Sequence, residues 1–243
     1  MKLLTLSAFL LASLVPLVLG ASPIEGVVWG PQEPSKENSP LFVSQGVLEQ
    51  MESLLSPEVT KAIRTSLDEA LKAVTPQRPC GSPKSFDNTA PADAKPKSWK
   101  SIKDKLASGW LIFRARVVGF LPGWHVGARQ PAALVKVEVV EVLGGSARRP
   151  QPGDHLNYFQ HQGVELTFEN NVLCSYPKKG YQASIGNEIV IAVPRLGLAQ
   201  DDDLLFIGPD DIYLVKDGEV FVTWYRPDGT EESIRLEALR EPL

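Results

Sequence analysis

Apolar and charged residues alternate along the chain from Trp110 to Leu143. In the segment WLIFRARVVGF every second side chain is apolar and two arginines lie between, while in LVKVEVVEVL valines alternate with lysine and glutamate. Successive side chains of a strand point to opposite faces, so this pattern predicts half-buried antiparallel strands. Further apolar segments follow, including EIVIAV and the pair IYLVK and EVFVTWY, which flank the turn dipeptide Asp217-Gly218. We therefore predict a small antiparallel β-barrel or sandwich over residues 98–243, led by a short helix.

A helical pattern precedes the strands. Between residues 41 and 75, apolar residues recur every three or four positions, and Ser56-Pro57 can begin a second helix because serine caps helices and proline suits the first turn. We predict an N-terminal helical hairpin over residues 41–75. Its apolar stripe would pack on the β-domain or on the partner helix, and a dimerisation face is the alternative.

The remaining segments lack a folding pattern of their own. Residues 1–20 combine Lys2 with an apolar stretch that ends at Gly20, which is typical of a signal peptide cleaved after that glycine. An uncleaved anchor is the alternative, although the apolar stretch is short for a membrane span. Pro-rich residues 21–40 are predicted to be a disordered leader, and residues 76–97 a linker. The expected location is periplasmic or secreted.

Charge and cysteine content restrict the classes of partner. The formal net charge is −4, without a concentrated basic surface, so nucleic acid is not an expected partner. Two cysteines, Cys80 and Cys174, occur in a chain expected to be exported. An oxidising compartment favours a disulfide between them, with two unpaired buried thiols as the alternative.

Residues that could carry catalysis or bind metal are few. The chain contains no Gly-x-Ser-x-Gly, Walker or His-Glu-x-x-His motif and no dinucleotide fingerprint. Cys174 with His155 or His161 could form a thiol dyad, but the expected disulfide would occupy that sulfur. His155 and His161 would lie ~20 Å apart on a regular strand, too far to share a metal. The aspartates at 201–203 and 210–211 lack the spacing of a calcium loop. We expect no metal site and no cofactor.

The connection LPGWHVGARQPAA, residues 121–133, is the strongest candidate for a binding surface. It places Trp124 and His125 between glycines near a loop tip, with Arg129 close by, and loops on rigid scaffolds often carry function. These three residues are the predicted binding residues. The alternative is that Trp124 folds back over the mouth of the barrel.

Several short features of this region occur in a recognisable order. They are an apolar strand ending in Val117-Val118-Gly119, a long connection, V-x-V-x-V-V-x-V-L-G-G, Gly153-Asp154, a lone Cys174, and Ile185-Gly186-Asn187-Glu188 before an apolar strand. This layout resembles the OB-like barrel of netrin-type modules, the group that includes the tissue inhibitors of metalloproteinases, and is similar to that of uncharacterised secreted bacterial proteins. Those inhibitors place a cysteine at the mature amino terminus against the protease zinc. Because the expected mature terminus here is Ala21, the resemblance implies the fold alone.

Together these patterns favour an exported, non-enzymatic binding or interaction module. Its partner would be a protein or small ligand of the envelope or exterior, and no stable membrane span is expected after signal cleavage. The alternative is a secreted hydrolase whose site is assembled from dispersed polar residues. Convergent titratable groups in a pocket would favour the hydrolase, whereas an exposed apolar or aromatic patch would favour the module.

Overall fold

The protein is described by a computed structural model. It covers residues 24–29, 40–73, 100–145, 150–161, 163–175, 183–194, 203–205, 207–208, 211–223 and 232–240. The predicted signal peptide and the linker at 76–97 lie outside these residues, as does Cys80.

Strands dominate the described residues, which confirms the prediction of a mainly β protein. They are β1 (Val27–Trp29), β2 (Pro40–Ser44), β3 (Leu111–His125), β4 (Gln130–Gly144), β5 (His155–Gln160), β6 (Val164–Phe168), β7 (Asn171–Ser175), β8 (Glu188–Val193), β9 (Leu204–Leu205), β10 (Ile212–Lys216), β11 (Glu219–Thr223) and β12 (Glu232–Arg235). The helices are α1 (Gln45–Leu48), α2 (Met51–Leu54), α3 (Pro57–Ala73) and α4 (Lys100–Ala107), with a 3-10 turn at Leu236–Leu239.

The main sheet is organised around the long hairpin of β3 and β4, whose strands have 15 residues each. Along the sheet the strand order is β12-β11-β10-β8-β3-β4-β5-β9. β2 pairs with Gly123–His125 at the end of β3 and also pairs with β1. All pairs are antiparallel except β5 with β9. Among the described strands the ladder ends at β9 and β12, so it does not close into the predicted barrel. The hairpin of β6 and β7 forms a separate sheet.

Three apolar clusters result from this arrangement. The first fills the inner face of β3, β4, β5 and β8 with alternating valines, isoleucines and leucines, and reaches Leu205 and Ile212. The second joins β2, α1, α2 and α3 to the β6–β7 hairpin around Trp124. The third packs α4 and the 3-10 turn on β8, β10 and β11. Among the described residues, no helix is long and apolar enough to cross a bilayer.

One side chain substitutes for a strand at the edge of β6. The Gln45 amide nitrogen donates to the Thr167 carbonyl oxygen at 2.7 Å, and the Gln45 carbonyl oxygen accepts from the Thr167 N–H at 3.1 Å. Both backbone groups of Thr167 are thereby satisfied at an edge where no other described strand pairs with β6.

Two segments differ from the expectations for the amino-terminal part. Residues 21–40 were expected to be disordered, but Val27–Trp29 forms β1, because its backbone pairs with β2. The predicted hairpin of helices over 41–75 is wrong in its first half. Pro40–Ser44 is a strand paired with β3, followed by two single-turn helices, and only α3 has the expected length. Phe42 and Val43 are compatible with either a helix or a strand. Their pairing with β3 selects the strand.

Candidate functional site

The segment predicted to be a loop, residues 121–133, is mostly strand. β3 continues to His125 and β4 begins at Gln130, so only Val126–Arg129 forms the turn, with Arg129 at a positive φ of 51°. The predicted thirteen-residue connection is therefore wrong. The Val126 N–H donates to the Leu41 carbonyl at 3.0 Å, and the Ser66 hydroxyl donates to the Val126 carbonyl at 3.4 Å. The hairpin tip is thus docked on β2 and on α3.

Trp124 lies inside the protein rather than on its surface. Its side chain is 0% exposed, and its indole N–H donates to the Ser66 hydroxyl of α3 at 3.1 Å. It packs in the second apolar cluster with residues of β2 and α3. The prediction that Trp124 is an exposed contact is therefore wrong. Trp124 folds back, as in the alternative interpretation, but it packs beneath α3 rather than over a barrel mouth. It thereby anchors the tip of the hairpin.

Arg129 lies at the solvent side of the same tip. Its guanidinium forms an ion pair with Glu69 of α3 at 2.6 Å, and the two side chains are 65% and 47% exposed. An exposed pair of this kind contributes little to stability. The predicted binding residue Arg129 is thus already paired with a carboxylate.

His125 belongs to the opposite face of the hairpin from Trp124, where it meets residues of three other strands. Residues paired across antiparallel strands share a face, which groups Leu121 with Leu134 and Phe159, and His125 with Phe42. We call the surface formed by Leu121, His125, Leu134, Phe159 and His161 the imidazole patch. Leu121 is 38% exposed, and the other four side chains are half-buried.

The rings of the patch are in mutual contact. The centroids of His125 and His161 lie 5.0 Å apart, and His125 meets the edge of Phe159 at 4.7 Å. Phe42, which is fully buried, lies 5.5 Å from Phe159 and covers Gly123, where a Cβ would come within 2.6 Å of the Phe42 ring and 2.2 Å of the Val43 carbonyl. Phe42 therefore packs directly on the backbone of Gly123 beneath the patch, where a larger residue would not fit.

Hydrogen bonds fix how the two imidazoles are presented. The Ala128 N–H donates to His125 Nδ1 at 2.9 Å, so a neutral His125 carries its proton on Nε2. His161 Nδ1 lies 3.0 Å from the Gln130 amide nitrogen, and with that amide as the donor His161 also carries its proton on Nε2. Within the described residues neither Nε2 has a hydrogen-bond partner, and neither is enclosed, so both reach solvent.

Both rings are held in the neutral form. Burial, followed by repulsion from His161, lowers the pKa of His125 to about 4, and burial lowers the pKa of His161. At neutral pH the patch therefore presents two uncharged N–H donors beside apolar side chains.

The other residues considered from the sequence do not form a common site within the described part of the chain. His155 is exposed at the far end of β5 from His161, as expected from their spacing. Cys174 lies on β7 and is not a free thiol, whereas Cys80 lies outside the described residues, so their pairing stays a prediction. Of the aspartates, Asp211 pairs with Lys105 at 2.6 Å. Among the described residues, no three histidine, cysteine or acidic side chains are grouped for metal binding.

A cavity of about 350 Å³ lies between α1, α2, α3 and the β6–β7 hairpin. Arg64 lines it and pairs with Glu52 at 2.8 Å and Glu169 at 2.6 Å, while its guanidinium lies 5.9 Å from the centre of the Phe168 ring. The Arg64 cation is already neutralised by these two carboxylates. The two ion pairs link the helices to the hairpin.

Comparison of the chain with protein-family models, with curated proteins and with solved structures finds no match. The geometry of the imidazole patch is therefore the guide to function.

Proposed function

We propose that this chain is an exported, non-enzymatic binding module whose contact surface is the imidazole patch. The observation that carries the proposal is the contact between His125 and His161, whose Nε2 atoms are open to solvent and whose rings both lie beside Phe159. Aromatic and apolar side chains that reach solvent on a rigid support are the usual anchors of recognition surfaces.

The support beneath the patch favours binding. Gly123 and Phe42 form a close-packed floor, and Trp124 with Ser66 holds the same strand from the other side. Side chains held in place before binding lose less conformational entropy when a partner arrives. The patch is thus preorganised.

We also propose that the β-domain is OB-like, as the resemblance to netrin-type modules implies. Two features support this: β3, β4 and β5 form a three-stranded meander, and β5 has a parallel partner in β9, whose Leu205 shares the inner cluster with Ile212 of β10. In OB-folds the face of the second and third strands carries the ligand surface. On this proposal β4 and β5 are those strands, and Leu134 and Phe159 lie on them.

A secreted hydrolase is the second candidate, and the two imidazoles in contact are the observation that favours it. Acid–base and nucleophilic sites, however, orient an imidazole with a carboxylate. Here each Nδ1 meets an N–H donor instead, and among the described residues no carboxylate is paired with either ring. Turnover of ester or phosphodiester substrates by the purified chain, abolished by His125→Ala, would favour the hydrolase over the module.

The binding proposal can be tested with a displayed peptide library selected against the mature chain, residues 21–243. We expect the selected peptides to bind at least tenfold more weakly to Leu121→Asp, because a charge would be placed in the apolar part of the patch. The matched control is Ile185→Asp, which alters a 68% exposed apolar residue outside the patch and should bind normally. Selected peptides that bind Leu121→Asp and Phe159→Ala as tightly as the parent chain would contradict the proposal.

A further inference from the structure

We infer that the two Nε2–H groups of His125 and His161 together bind a carboxylate, and that the apolar body of the same ligand lies against Leu121, Leu134 and Phe159. This inference rests on the proposed function and names the chemical class that the patch would recognise.

Both Nε2–H groups reach solvent without a partner among the described residues, and they lie among apolar side chains. A purely apolar occupant would cover them and leave two donors unpaired, which is unfavourable. The occupant must therefore supply acceptor oxygens at the position of the two rings and apolar surface beside them.

A metal ion is the usual alternative ligand for paired histidines. A metal bound at His125 Nε2 needs a lone pair there, which moves the ring proton to Nδ1. The Ala128 N–H already points at Nδ1 from 2.9 Å, so a proton on Nδ1 would face another donor. The docked turn thus holds His125 as a donor at Nε2 and opposes metal binding.

The adjacent turn carries Arg129, but its guanidinium is paired with Glu69. The elements packed against the two rings contribute Phe42 from β2, Gln130 from β4, Phe159 from β5 and the Ala128 N–H from the turn, and none of these groups is charged. No internal acid among them competes for the donors, and an incoming carboxylate has two acceptor oxygens for the two N–H groups.

A carboxylate also interacts more strongly with an imidazolium than with a neutral ring. The Gln130 amide can turn its oxygen towards a protonated His161 Nδ1, whereas the Ala128 N–H opposes a proton on His125 Nδ1. The site is therefore expected to take up one proton on binding, at His161, so that affinity rises as the pH falls from 7 towards 5. A neutral ligand of the same shape gains nothing from this change.

The experiment uses the mature chain labelled with ¹⁵N-histidine, which contains three histidines and so has an internal control in exposed His155. The probes are 3-phenylpropanoate, 3-phenylpropanol as its uncharged analogue, acetate, and zinc chloride. We expect 3-phenylpropanoate to shift the Nε2 resonances of His125 and His161 saturably, to leave His155 unchanged, and to bind at least tenfold more tightly than the alcohol or acetate.

The paired variants are His161→Phe, which keeps a ring but removes a donor, and His155→Phe as its control. The first should lower affinity for 3-phenylpropanoate at least tenfold and abolish its increase at low pH, while the second should not. Circular dichroism and the unfolding midpoint check that both variants fold, and Gln130→Leu, which releases His161 Nδ1, provides a second way to disturb the pair.

The following outcomes would each overturn the carboxylate inference. If the alcohol binds as tightly as the acid, or His161→Phe and Gln130→Leu bind normally, the carboxylate inference is wrong, although peptide binding sensitive to Leu121→Asp would leave the proposed function standing. Equal shifts of all three histidines would indicate nonspecific binding and overturn the inference. Saturable zinc binding at His125 and His161 would overturn it in favour of a metal site.

Discussion

Trp124 and His125 are neighbours in the chain but serve opposite sides of the same hairpin tip. Trp124 is enclosed by β2 and α3, and its single donor is satisfied by Ser66. His125 contacts other rings on the outer face and leaves its Nε2–H to solvent. The large aromatic thus holds the tip in place, while the smaller polar ring beside it is the group left available for recognition.

The largest expected effect comes from the enclosed side. Trp124→Ala should lower the free energy of unfolding by about 3–5 kcal/mol, because it empties a closely packed site and leaves Ser66 without its indole partner. Urea denaturation followed by circular dichroism measures this loss. On the outer face, Leu121→Ala removes a partly exposed side chain and should cost much less. Similar losses for the two substitutions would remove the distinction between the faces.

On the outer face of the hairpin tip, His125 should make the free energy of unfolding depend on pH. The folded-state pKa of His125 is about 4, below its ordinary value of 6.5, so the unfolded chain binds more protons between these values. The stability contributed by the neutral ring is therefore present above pH 6.5 and is lost as the pH falls towards 4. One pKa unit corresponds to ~1.4 kcal/mol, and partial exposure reduces the total to about 1–2 kcal/mol.

The measurement is urea denaturation at a series of pH values between 7 and 4. His125→Gln should flatten the pH dependence relative to the parent chain, whereas His155→Gln should preserve it. If both variants follow the parent curve, the burial of His125 does not govern stability in this range.

The smallest effect is expected at the solvent edge of the tip. Arg129→Ala removes the ion pair with Glu69 and should change the free energy of unfolding by less than about 0.5 kcal/mol, because exposed pairs gain little over hydration. Thermal unfolding at low and high salt tests this, and a loss above ~1 kcal/mol would show that Arg129 is structural.

Local patterns were sufficient for the centre of the fold. The alternation around Arg114 and Glu138 identified β3 and β4, because one face of each is buried and the other is charged. The ends of the hairpin were not predictable in this way. Gly123 and Pro131 are usual loop residues, but here glycine makes room for Phe42, and strand pairing continues across both positions.

The candidate site depends on register, which no local pattern specifies. His125 and His161 are separated in the sheet by β4, and they meet only because His125 pairs with Gln130 while Gln160 pairs with Ala133. In a regular strand His161 and Phe159 share a face, because successive side chains alternate. This alternation alone cannot show that His125 lies on the same face, because that depends on how β4 pairs with β3 and β5.

The side chain of Gln45 has a consequence for the behaviour of the chain at high concentration. By meeting both backbone groups of Thr167, it occupies a stretch of β6 that could otherwise accept a strand from a second molecule. Within the described residues this sheet has two strands, so a single amide covers the part of its β6 edge to which a further strand could add.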